Sequence, residues 1–139
     1  MGGWPVGGYS TKGKIPEFYD KRVKIYAGWF QDTLPKLKSD FDATDSVIII
    51  NFDADLYSST LLALSEVNSF GTYFAFFDEF SGDECRALSD YLLAYGANVE
   101  FLGKTEWRNY PETVLCKITT KASPHEESDS STNPSVQRH

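Results

Sequence analysis

Two runs of large apolar residues, Val47–Phe52 (VIIINF) and Thr72–Phe77 (TYFAFF), restrict this chain more than any other feature. Neither run alternates with polar residues, as a strand with one solvated face would. Continuous runs of this kind suit parallel strands covered on both faces. Between them, Leu56 to about Asn68 carries Leu61, Leu62, Leu64 and Val67 near helical spacing, and Asn68-Ser69-Phe70-Gly71 breaks the helix. Asp55 or Ser58 is suitably placed to cap it. Strand, helix and strand in succession make a βαβ unit with a right-handed crossover and parallel strands, so the fold class is α/β.

The flanking segments extend this frame. Arg22–Tyr26 (RVKIY) reads as a short strand ended by Ala27-Gly28, and Gly28–Pro35 leads into a short helical or irregular segment reaching about Asp42. A helix is expected from about Gly82 to Tyr95, with Leu88, Tyr91, Leu92 and Tyr95 on one face and a stop before Gly96. Val99–Leu102 and Val114–Ile118 are the last strands. Met1–Pro16 is rich in glycine and reads as loop, and the Ser-rich acidic residues after Lys121 read as a disordered tail. The expected division is a partial domain over residues 1–121 and a tail over 122–139.

Composition narrows the chemistry. Both histidines, His125 and His139, lie in the tail, so a folded body without imidazole excludes Ser-His-Asp triads and His-bearing zinc sites. With 20 acidic against 13 basic residues, the net charge of -7 opposes non-specific nucleic-acid binding. No apolar run approaches the roughly 20 residues of a membrane span and no apolar leader opens the chain, so a soluble, unexported, cytoplasmic protein is expected. Cys85 and Cys116 lack CxxC spacing and read as reduced, packed thiols.

The acids have the most informative placement. Asp53 follows the first buried run and Asp78-Glu79 follow the second. Parallel strands about 4.8 Å apart bring both sites to one carboxyl-terminal edge, where open α/β sheets place ligands. Three carboxylates without histidine or cysteine suit a hard cation, Mg²⁺ or Ca²⁺, which would lower the pKa of a hydroxyl bound to it. One carboxylate could then take the proton. The same residues also read as helix caps (Asp53, Asp55) and loop acids (Asp78, Glu79).

Four segments carry a resemblance: Gly8-Tyr9-Ser10-Thr11-Lys12-Gly13-Lys14-Ile15-Pro16, Gly28-Trp29-Phe30-Gln31-Asp32-Thr33-Leu34-Pro35, Asp53-Ala54-Asp55-Leu56-Tyr57-Ser58-Ser59-Thr60 and Phe77-Asp78-Glu79-Phe80. In this order and spacing, over about Gly8 to Ile118, they resemble the macrocin O-methyltransferase-like family of class I, S-adenosylmethionine-dependent enzymes. The resemblance implies a Rossmann-like fold with strand order 3-2-1-4-5-7-6, in which VIIINF is the fourth strand and TYFAFF the fifth. It implies Asp53 as metal ligand and general base, Asp78 and Glu79 as further metal ligands, and Trp29 and Phe30 against the adenine of the cofactor. Better-characterised members often have two aspartates where this chain has Asp78-Glu79. The first two strands and the glycine-rich cofactor loop have no counterpart here, and GGWPVGG does not replace them because no buried strand precedes it.

The implied function is a divalent-metal-assisted O-methyl transfer to a small-molecule hydroxyl, with S-adenosylmethionine and Mg²⁺ as cofactors. Cofactor binding by this chain alone is expected to be weak or absent. The alternative is a non-catalytic remnant that joins another chain, or a second copy, through the apolar edge left open on VIIINF. A hydrolase or phosphotransfer domain would need a phosphate-cradling loop, which the sequence does not display.

Overall fold

The computed structural model describes residues 12–42, 44–80, 82–107 and 110–121. The glycine-rich opening and the expected tail lie largely or wholly outside them. The elements are α1 (Phe30–Asp40), β1 (Ile49–Phe52), α2 (Tyr57–Val67), a 3₁₀ turn (Asn68–Phe70), β2 (Thr72–Phe77), α3 (Asp83–Tyr95), β3 (Asn98–Trp107) and β4 (Tyr110–Thr119).

The expected βαβ unit is present: β1 and β2 pair in parallel, with Ile49 opposite Phe74 and Phe52 opposite Phe77. β4 pairs antiparallel with both β2 and β3, so the sheet order is β1-β2-β4-β3. This is the order of the last four strands in the arrangement that the resemblance implied. The two final strands are longer than the apolar cores that announced them, because a hairpin extends pairing beyond the residues that pack. α3 ends as expected: Gly96 takes the left-handed conformation at φ +61°.

The core lies between the sheet and the pair α2 and α3. Leu64, Tyr73, Ala75, Phe77, Ala87, Tyr91, Cys116 and Ile118 are fully enclosed. Phe77 stacks on Phe52 with ring centroids 4.8 Å apart, joining the ends of the two parallel strands. Burial pushes the Cys116 thiol up to about 11. Cys85 is half-buried, and both thiols are free.

Three expectations fail. Arg22–Tyr26 forms no strand: its residues have no regular structure, and Val23 and Ile25 are exposed. A strand needs a partner for its backbone groups, and none of the four described strands lies beside it. VIIINF is not covered on both faces: β1 begins at Ile49, which is 64% exposed, and it also stands at the edge of the described sheet. Its apolar character therefore exceeds what the described residues bury. Finally, neither Asp55 nor Ser58 caps α2, whose N-cap is Leu56 with no side-chain hydrogen bond.

Candidate functional site

The register that places Phe52 opposite Phe77 brings Asp53 and Asp78 off the same edge of the sheet. The Asp78 N–H donates to the Phe52 carbonyl at 3.3 Å, extending the pairing one step beyond the strands. The expected juxtaposition of these two positions is therefore observed. Asp53, Asp78 and Glu79 are all exposed. The Thr113 hydroxyl on β4 donates to Asp78 Oδ1 at 3.4 Å.

The expected three-carboxylate metal centre does not form: among the described residues, no group of three or more His, Cys, Asp or Glu side chains could hold a metal ion. Backbone register brings main chains together, but convergence also depends on side-chain direction. Asp78 and Glu79 lie in the bend after β2, outside the regular strand, so the strand register does not fix where their carboxylates point.

A different carboxyl is enclosed at this edge. Glu84, in the first turn of α3, is 1% exposed. Its Oε1 accepts the Ala54 N–H at 3.3 Å, while Oε2 has no hydrogen-bond partner among the described residues. Burial raises the Glu84 pKa, helped by the charge of Asp55, while the backbone N–H groups of Ala54, Glu79 and Asp55 oppose the rise. Sequence reasoning missed Glu84, although a signal was available. It stands four residues before Leu88 and seven before Tyr91, on the apolar stripe of α3.

The loop that Glu84 touches is tightly wound. The Leu56 N–H donates to the Ala54 carbonyl at 2.6 Å, and Asp55 between them has φ +56°. An i to i+2 bond around a positive φ is a γ-turn of the rare, strained kind. The adjoining start of α2 is held from the neighbouring helix. Asp83 Oδ2 accepts the Tyr57 N–H at 3.3 Å, satisfying a first-turn donor that no local side chain reaches. The Tyr57 hydroxyl donates to Asp90 Oδ2 at 2.7 Å, and the Arg86 guanidinium lies 4.4 Å from the Tyr57 ring centre. The bond to Asp90 raises the Tyr57 pKa.

Asp53 borders two cavities. One, of about 580 Å³, is lined by Gly28, Trp29, Phe30 and Gln31 at the start of α1 and by Asp53, Ala54, Leu56, Ser58, Ser59 and Leu62. Trp29 is 75% exposed on its rim and N-caps α1, where its carbonyl accepts the N–H groups of Asp32 and Thr33 at 2.9 and 3.1 Å. Gly28 makes this approach feasible. Its φ is +148°, and an added Cβ would meet Thr33 Cγ2 at 3.0 Å. The other cavity, about 420 Å³, is an apolar groove along β1 lined by residues such as Leu34, Leu37, Phe41, Ile48 and Ile50. The two aromatics expected beside a cofactor thus share a cleft with Asp53, whereas Asp78 and Glu79 do not line it.

No helix among the described residues is long and apolar enough to cross a membrane. The chain is similar to the 8-demethyl-8-(2,3-dimethoxy-alpha-L-rhamnosyl)-tetracenomycin-C 4'-O-methyltransferase of Streptomyces olivaceus, with 38% identity over 81 residues. That alignment takes in 55% of this chain but 29% of the relative, so the chain spans less than a third of the relative's length. No solved structure matches the chain significantly. Residues 14–95, from the approach to α1 through the end of α3, match the macrocin-O-methyltransferase (TylF) family, to which this chain therefore belongs.

Proposed function

We propose that this chain carries the later half of an S-adenosylmethionine-dependent O-methyltransferase site acting on the hydroxyl of a small molecule. The observation that carries this reading is the cleft where exposed Trp29 and Phe30 face the same space as Asp53, at the carboxyl edge of parallel strands. The family and the relative's 4'-O-methyltransferase activity support the choice of reaction. The strand order supports a Rossmann-like sheet whose first two strands and glycine-rich loop lie outside the four strands described.

S-adenosylmethionine supplies an electrophilic methyl group on a sulfonium when bound. Trp29 and Phe30 offer aromatic surface to its purine ring, which favours stacking. Asp53 accepts the proton of the substrate hydroxyl, leaving oxygen as the nucleophile. The described acids do not assemble into a ligand set for Mg²⁺, so no step is assigned to a metal.

Titration of the chain with S-adenosylhomocysteine, followed by backbone amide NMR, tests the reading. Weak, saturable shifts confined to residues 28–31 and 53–59 are expected, with loss of the shifts in Trp29→Ala. Shifts centred on other residues, or unchanged by that substitution, would overturn it. The non-catalytic alternative draws on the exposed apolar edge of β1. It predicts concentration-dependent association in sedimentation velocity together with no response to the ligand.

A further inference from the structure

We infer that Glu84 is a positioning residue: its buried carboxylate anchors the loop bearing Asp53 to the start of α3 and holds the strained turn at Asp55. The inference rests on reading Asp53 as a site residue, but its geometry stands independently. Glu84 comes from a third element, α3, and reaches back 30 positions to accept the Ala54 N–H at 3.3 Å.

A carboxylate that is 1% exposed is costly to bury unless its oxygens organise neighbouring donors. The donor it engages is the main-chain N–H of Ala54, next to Asp53. The γ-turn at Asp55, with φ +56°, is a conformation that persists where its surroundings over-determine it. Glu84 supplies that constraint from below, so the Asp53 backbone keeps its position whether or not a ligand fills the cleft. No reacting atom needs to touch Glu84.

Amide hydrogen exchange on the full 139-residue chain tests this without any cofactor. In the unsubstituted protein the Ala54 amide, outside the strands, is expected to be protected. Glu84→Ala should lower protection at this amide by about tenfold or more, as expected for losing a hydrogen bond to a charged group. Ala75 in β2 should change far less. Glu84→Gln keeps a carbonyl acceptor and should restore most of the local protection. An unprotected Ala54 amide in the parent chain, or an equal loss at Ala54 and Ala75 in Glu84→Gln, would overturn the inference. If Glu84→Ala does not fold, the parent and Glu84→Gln comparisons decide the matter alone. Failure of the S-adenosylhomocysteine titration with these exchange results intact would count against the methyltransferase reading and leave the positioning role standing.

Discussion

β1 and β2 are built from similar residues and end side by side, yet they occupy different environments. In β2, Tyr73, Ala75 and Phe77 are fully buried, because the strand has β1 on one side, β4 on the other, and helices over the face carrying those residues. In β1 only Phe52 is buried, while Ile49 is 64% exposed and Val47 just before it is 76% exposed. A continuous apolar run thus records a capacity for burial. The number of neighbours decides how much of that capacity is used.

Substitutions in the two strands should separate these environments sharply. Phe77→Ala removes a ring that is 0% exposed and stacked on Phe52, and should cost about 3–5 kcal/mol by urea denaturation. A cost near that of a surface substitution would mean that the β2 core is looser than the geometry implies. Ile49→Ala should change stability by less than about 0.5 kcal/mol in the same assay. A larger loss would show that something covers the β1 edge in solution.

Smaller effects test how the site is braced onto the well-packed half. Tyr57→Phe deletes the 2.7 Å bond to Asp90 while keeping the ring under Arg86, and should cost about 0.5–1.5 kcal/mol. At the β1 side, α1 is linked to α2 by Lys38 and Glu66 at 3.1 Å. This pair is partly solvent-exposed, so Glu66→Gln should cost no more than about 1 kcal/mol and less as salt is added. A cost independent of salt would assign Glu66 a packing role instead.

The two thiols extend the comparison to pH. Cys116, buried on β4, has a thiol raised to about 11, so its contribution to stability is present below the ordinary thiol value and is lost as pH rises through about 11. Alkylation of the folded chain at mildly alkaline pH should therefore label half-buried Cys85 first and spare Cys116. Equal labelling would indicate opening of the sheet.

Much of the frame was legible before the fold was seen. TYFAFF matches β2 residue for residue, and the helices after both parallel strands begin and end within a residue or two of expectation. These are segments where local pattern and tertiary environment agree. RVKIY shows the opposite case: its composition suits a strand, but without a partner among the described strands it remains irregular. For the site, Trp29, Phe30 and Asp53 could be placed from motifs, and they do share a cleft. The gathering of Asp53, Asp78 and Glu79 into one metal centre could not, because it depends on side-chain directions at two loop starts.

Order along the chain was enough to set the parallel pairing of β1 with β2, and hence the shared edge for Asp53 and Asp78, because a helical crossover permits little else. Only the tertiary structure selected Glu84 as the enclosed carboxyl at that edge, and only it supplied Asp83 as the acceptor at the start of α2. The physical reason is range. Strand and helix formation follow periodicity over a few residues, whereas a carboxylate's environment is set by backbone donors some 30 positions away that become neighbours when the elements pack.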